Sequence, residues 1–254
     1  MDQPTLILIT NDDGFEAPGI RHLAECAGRW AEVVVAAPDG PRSGQSSAIT
    51  VDAPLHLTRR PDIGRATVWS VNGTPVDCVK LALHALFKDR RPDMILSGIN
   101  HGSNSGNSVL YSGTMGAVLE GCTLGIPSVG FSLLDHNHDA DFSGCTRFVD
   151  EIARGVASSG LPSGVCLNVN IPAGCVPKGM KVVRASQGYW TDEYSPMTDT
   201  DGRTAYRLTG RYVDRDPDDD TTDNYWLGRG YVTVVPTCVD MRAPIKDLHC
   251  ISEL

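Results

Sequence analysis

The sequence predicts an open, doubly wound α/β sheet of mostly parallel strands, and three observations predict it. Apolar runs of strand length alternate with segments of helical apolar spacing from the N-terminus to about residue 185. The first runs are continuously apolar, as in strands covered on both faces. Three of them empty into polar, glycine-bearing loops, the position where parallel sheets collect ligands.

The elements follow in order. Leu6–Ile9 reads as a buried strand. Pro18 opens a helix at a favourable first-turn position, with Ile20, Leu23, Ala24, Ala27 and Trp30 at helical spacing. "EVVVAAP" is a second buried strand, so the first forty residues form a right-handed β-α-β crossover. "DGPRSGQSSAIT" is a polar loop, and "LHLTRR" and "ATVWSVNG" alternate as short strands of a hairpin-like excursion. "GTPVDCVKLALHALF" is a helix with Thr74 as N-cap, Pro75 at the first helical position and Asp77 at the positive end of the dipole. "PDMILSG" is a strand, "GINHGSNSGNSVLYSGT" a long glycine-rich loop, "GTMGAVLEGCTLG" a helix and "IPSVGFSLL" a strand. "FVDEIARGVA" is helical and "GVCLNVNIP" strand-like. This is a three-layer, Rossmann-like pattern.

After about Ala185 the chain turns aromatic and acidic and loses long apolar periodicity. We read residues 1–254 as one domain with a core over 1–185. Residues 186–230 form a projecting hairpin arm, either an oligomerisation interface or a local cap closing one end of the sheet, and 231–254 a return strand ("YVTVVP") and tail. The arm holds Tyr189, Trp190, Tyr194, Tyr206, Tyr212, Tyr225 and Trp226, the amphipathic ring types that interfaces use.

Composition narrows the function. The 254 residues are 41% hydrophobic and 21% charged, which suits a soluble globular protein, and the net charge of −9 argues against a nucleic-acid polymer as partner. No apolar stretch is long enough to span a bilayer, and the N-terminus has neither the basic lead nor the apolar run of a signal peptide. The eight cysteines, Cys26, Cys78, Cys122, Cys145, Cys166, Cys175, Cys238 and Cys250, are scattered without a C-x-x-C pair. They read as reduced, buried thiols of a cytoplasmic protein, not as a zinc site.

The chemistry gathers in three loops. The first carries Asn11, Asp12 and Asp13; the second Asp39, Arg42, Ser43 and Gly44; the third Asn100, His101, Asn104 and Ser112-Gly113-Thr114. Adjacent carboxylates repel, and a cation relieves the repulsion; Asn-Asp-Asp-Gly is equally good turn chemistry. Two carboxylates, a hydroxyl and an amide carbonyl make an all-oxygen set suited to Mg²⁺ or Mn²⁺. Ser112-Gly113-Thr114 at a helix start offers backbone N–H groups to an anion, or simply caps the helix. The spacing of Gly98, Gly102 and Gly106 is not a dinucleotide fingerprint. His101 reads as a bystander, His136 and His138 as a solvated loop, and Arg59-Arg60, Arg90-Arg91 and "PDDDTTD" as exposed surface.

Taken in order, "NDDGFEAPGI", "VVAAPDGPRSGQSSAIT", "NGTPVDCVKLAL", "SGINHGSNSG", "YSGTMGAVLEG", "NVNIP" and "GYVTVVP" resemble the SurE family of stationary-phase survival proteins. The resemblance implies a divalent-metal-dependent nucleotidase. Its single metal ion per subunit, Mg²⁺ or Mn²⁺, would be held by Asp12, Asp13, Ser43 and Asn100. Asp12 or Asp13 would also act on the attacking water. Asn11, Gly44, Asn104, Ser112, Gly113 and Thr114 would bind substrate and phosphate. It further implies nucleoside monophosphate substrates in the 5′ or 3′ series, activity on short polyphosphate, and a homodimer or tetramer joined through the arm. Ser105, Asn107 and Ser108 depart from the family's usual residues, a change that bears on substrate preference. The competing readings are a haloacid-dehalogenase-type phosphatase, against which the adjacency of the aspartates argues, a dinucleotide oxidoreductase, and a non-catalytic nucleotide-binding regulator on the same fold.

Overall fold

A computed structural model describes residues 3–137 and 139–242. His138, Cys250 and the tail from residue 243 lie outside the described residues.

The chain opens with β1 (Leu6–Thr10), α1 (Pro18–Ala27), β2 (Glu32–Pro38), β3 (Leu57–Ile63), β4 (Ala66–Val71) and α2 (Pro75–Ala85). Next come β5 (Met94–His101), α3 (Gly113–Thr123), β6 (Ser128–Leu133), α4 (Thr146–Ser159) and β7 (Val165–Ile171). The remainder is β8 (Met180–Val182), β9 (Gly188–Thr191), β10 (Tyr194–Thr198), β11 (Thr204–Leu208), β12 (Arg211–Asp214), α5 (Asp223–Leu227) and β13 (Val232–Cys238). Among the described residues nine strands form one sheet in the order β3-β4-β2-β1-β5-β6-β7-β13-β8. Strands β4, β2, β1, β5, β6 and β7 run parallel; β3 is antiparallel to β4 and β13 to β7. The expected excursion is thus a hairpin whose second strand joins the main sheet beside β2.

The unbroken apolar runs have a physical reason. Along β1, Ile7 and Ile9 pack on the α1–α4 side, with Ile20, Leu23 and Ile152; Leu6 and Leu8 pack on the α2–α3 side, with Val79, Ala82 and Ala117. Both faces are covered, so alternation has no polar partner. Each fully buried Ile or Leu contributes about 1.5–3 kcal/mol. Among the described residues no helix is long and apolar enough to cross a membrane. Cys26, Cys78, Cys122, Cys145 and Cys166 are free thiols and buried as expected; Cys175 and Cys238 are free but exposed, which corrects that expectation for these two.

Helix α2 begins as its sequence dictates. Thr74 Oγ1 accepts from Asp77 N, and Asp77 Oδ2 accepts from Thr74 N, a reciprocal capping box followed by Pro75. Asp77 also accepts from the backbone N and hydroxyl of Thr50, and the Thr74 hydroxyl donates to Ala48 O. Burial alone would raise the Asp77 carboxyl; these hydrogen bonds outweigh it and hold it below its usual value. The cap therefore anchors the far end of the loop that carries Ser43.

After β7 the structure departs from the sequence pattern at β8, α5 and Asp223, while the hairpins expected there are present. Strand β8 is a three-residue edge strand parallel to β13. The stretch after residue 185 holds two antiparallel ladders, β9–β12 and β10–β11, over Gly188–Asp214. The chain then returns through α5, which packs on β13. The final acid of "PDDDTTD" is not exposed surface: Asp223 is fully buried and accepts from Gly106 N, Ser186 N and Asn224 N, each at 2.8 Å. A carboxylate is retained there because three backbone donors need an acceptor.

Candidate metal and phosphate site

The carboxyl ends of β1, β2, β5, β6 and β7 converge on one edge of the sheet. After β1 the chain makes a tight turn. Asn11 is fully buried and spends both side-chain atoms on Gly14, donating Nδ2 to its carbonyl at 2.9 Å and accepting its N–H on Oδ1 at 3.2 Å. Gly14 sits at φ +101°, a conformation side chains resist. The bracket fixes Asp12 and Asp13 between its arms, so the turn chemistry serves the carboxylates, and Asn11 shapes the site without facing it.

Asp12 is 4% exposed. Its Oδ1 accepts the Thr114 hydroxyl at 2.5 Å. Burial pushes its carboxyl up to about 6; the Thr114 hydrogen bond opposes the rise and the Asp13 charge adds to it. Asp13 is more open, and its Oδ2 meets the backbone N and the ring Nδ1 of His101 at 3.2 and 3.1 Å.

The second loop is tied to the first by Arg42 N, which donates to Asp12 O at 2.7 Å. Ser43 follows that anchor in the chain, exposed and with its hydroxyl unpartnered among the described residues; Gly44 is exposed at φ +75°. The Arg42 guanidinium is engaged by Asp39 Oδ1 and Gly73 O. Ser46 crosses to the third loop, where its N and hydroxyl donate to the carbonyls of Tyr111 and Leu110.

Asn100 and His101 lie on β5 itself, not in the loop after it. Gly98, at φ +123°, bends the strand, and pairing resumes with Asn100 opposite Ser132 and His101 opposite Leu133. Asn100 Nδ2 donates to the carbonyls of His101 and Gly102, which leaves Oδ1 as its only unpartnered side-chain atom.

Ser112 caps α3, its hydroxyl accepting from Met115 N at 3.0 Å. The Thr114 hydroxyl is spent as a donor on Asp12, whereas the Ser112 hydroxyl only accepts, and its own O–H has no acceptor among the described residues. The Gly113 N–H has no partner among the described residues and remains for an anion. A Cβ at Gly113 would stand 2.8 Å from the Asp12 Cβ and 3.0 Å from its Oδ2. Asn104 N is held by Asn170 Oδ1, its Nδ2 donates to Ser132 Oγ and its carbonyl accepts from Asn168 Nδ2, each at 2.8 Å. Its own Oδ1 is unpartnered among the described residues.

Sequence reasoning passed over Asn168 and Asn170 as individuals. Their signal was present: two amides two residues apart on a buried strand share one face. It also set His101 aside. His136 is exposed and packs its ring over Gly102. Among the described residues no three His, Cys, Asp or Glu come together as a metal cluster. The oxygens of Asp12, Asp13, Ser43 and Asn100 nevertheless fit a hard cation. They combine two adjacent carboxylates, one buried and resisting ionisation, with an unpartnered hydroxyl and an unpartnered amide oxygen.

A family model described as Survival protein SurE matches residues 7–192. The 5′-nucleotidase SurE of Bacteroides fragilis is 45% identical over 239 residues, 94% of this chain and 93% of that protein. The protein of the same name from Bacteroides thetaiotaomicron is 46% identical over 240 residues, 94% and 92% of the two chains. The crystal structure of the SurE protein from Aquifex aeolicus matches with a TM-score of 0.82 at 32% identity, covering 98% of each chain.

Proposed function

Because the chain belongs to the SurE family, we propose that it is a divalent-metal-dependent phosphatase that hydrolyses nucleoside monophosphates to nucleoside and phosphate. The observation that carries this reading is the Asp12-Asp13 pair, bracketed by Asn11 and set against the open N–H of Gly113. Asp12, Asp13, Ser43 and Asn100 would hold one Mg²⁺ or Mn²⁺ per subunit. When bound, that ion supplies Lewis acidity, which stabilises charge on phosphoryl oxygens and acidifies water. Gly113 N–H, at the positive end of α3, donates to a phosphoryl oxygen. Asp12 or Asp13 orients the attacking water and takes its proton. Asn104, fixed from Asn168, Asn170 and Ser132, presents Oδ1 to a substrate hydroxyl.

Phosphate release from a panel of nucleoside monophosphates is the test. Chelator is expected to abolish turnover, and added Mn²⁺ or Mg²⁺ to restore it. Full activity in chelator-treated, metal-free protein would remove the metal site, and nucleotide binding without phosphate release would make the protein a regulator.

The hairpins support a second part of the reading, a homodimer or dimer of dimers. Tyr189, Tyr194, Tyr206 and Leu208 on β9–β11 are exposed, an unusual density of large apolar area on a projection. A partner subunit covering them makes the arm an exchanged element. The protein is expected to sediment as a dimer or larger at micromolar concentration, and deletion of residues 189–213 to give aggregation or loss of the oligomer. A well-behaved active monomer at that concentration would refute the exchange.

A further inference from the structure

His101 ends β5 beside Asn100, and the reading above gives it no role. Its backbone N–H and its ring Nδ1 both lie on Oδ2 of Asp13, at 3.2 and 3.1 Å. An ionised carboxylate only accepts, so Nδ1 carries the ring proton. The opposite nitrogen, Nε2, is buried and has no partner among the described residues. The ring is held edge-on against Phe142, with centroids 5.0 Å apart and planes at 86°, and Phe142 is itself buried. One side of the imidazole is thus braced and the other aimed at a carboxylate.

That arrangement costs the fold something. A buried polar atom without a partner costs about 1–3 kcal/mol, and an apolar side chain of the same volume would avoid it. What the histidine supplies in return is orientation. Two donors from one residue converge on Oδ2, which leaves Oδ1 of Asp13 without a partner among the described residues.

We infer that His101 is a positioning residue: its Nδ1–H, with its backbone N–H, holds Oδ2 of Asp13 so that Oδ1 is presented to the cation of the proposed site. The inference rests on the metal-site reading. Carboxylates that ligate cations are held by outer partners, and removing such a partner weakens metal affinity about 10- to 100-fold.

Mn²⁺ affinity, read from the electron paramagnetic resonance signal of free Mn²⁺, tests it without reference to turnover. The set is the unmodified protein, His101→Ala, His101→Asn, His101→Gln and Asp13→Asn, with a thermal melt for each. Asparagine places its amide N–H near the position of Nδ1, whereas glutamine places its own near Nε2. His101→Ala and His101→Gln are expected to bind Mn²⁺ about 10- to 100-fold more weakly, and His101→Asn within about fivefold of the unmodified protein. A His101→Ala protein that binds Mn²⁺ within about twofold of normal overturns the inference, as does a His101→Asn protein no better than His101→Gln. If alanine prevents folding, the asparagine–glutamine contrast decides alone. If Asp13→Asn lowers Mn²⁺ affinity and the His101 variants do not, only the role of His101 falls. If Asp13→Asn leaves affinity unchanged, the metal site itself is misplaced and the inference falls with it.

Discussion

Asp13→Asn, and equally Asp12→Asn, is expected to lower turnover on nucleoside monophosphates at least about a hundredfold, the loss of roughly 2.7 kcal/mol of transition-state stabilisation. Either change removes one of two negative charges proposed to hold the cation while nearly keeping the shape. Stability separates the two residues. The Asp12 carboxyl is raised in the folded protein to about 6, mainly by burial. Between its ordinary value of 3.8 and about 6, the folded chain therefore binds more protons than the unfolded one. Stability without metal falls as pH rises through that window, and the loss persists above it. Asparagine at position 12 removes the cost, so Asp12→Asn is expected to melt at a higher temperature than the unmodified protein in chelator at pH 7.5. Added Mn²⁺ is expected to reverse the order, because the cation stabilises only the chain that holds it. The measurements are steady-state phosphate release at saturating Mn²⁺ and paired melts with and without metal. Near-normal turnover in either variant would remove that residue from the site.

How far the sequence carries depends on the range of the interaction. Helix α2 was legible because its capping box closes within four residues and Pro75 and the acid lie where any helix start wants them. Strand β1 was legible because burial on two faces leaves an unbroken apolar run. The Asp12-Asp13 pair stood out because adjacent acids after a buried strand are electrostatically costly. Other features depend on contacts that no local pattern reports. Strand β5 runs on through Asn100 and His101 only because Ser132 and Leu133 are there to pair with them. Three residues of β8 have no periodicity to find. Asp223 looks like one more acid in an acidic run, yet it holds Gly106, 117 positions away, and fixes the base of the arm against the third loop. Ser105 and Asn107 meet that same region through Asn224 Oδ1 and Gly188 O, contacts that likewise no local pattern reports.

Gly113→Val is expected to cost at least about a hundredfold in turnover and about 1–3 kcal/mol in stability, through a contact the sequence does not show. The sequence suggests glycine there so that an anion can approach the backbone. The structure adds a nearer reason: the space a side chain would take is occupied by Asp12, whose Cβ would lie 2.8 Å from a new Cβ, and Pro75 Cγ would lie 3.2 Å from it. Asp12 cannot swing away freely, since its Oδ1 is held by Thr114 and its carbonyl by Arg42 N. Even Gly113→Ala must displace either the carboxylate or the start of α3, and valine must displace both. Thr114→Ala acts on the same carboxylate from the other end, removing one hydrogen bond without adding volume, and is expected to cost less, roughly tenfold, which is about 1.4 kcal/mol. If both substitutions work through Asp12, their effects are not independent. The pair Gly113→Ala with Thr114→Ala should lose less than the product of the single losses, because a carboxylate already displaced has little left to lose when its hydrogen bond goes. Strict multiplication of the two losses in kcat would mean that Gly113 acts on phosphate alone and Thr114 on Asp12 alone. A Gly113→Val protein that folds and turns over normally would place the phosphate cradle elsewhere.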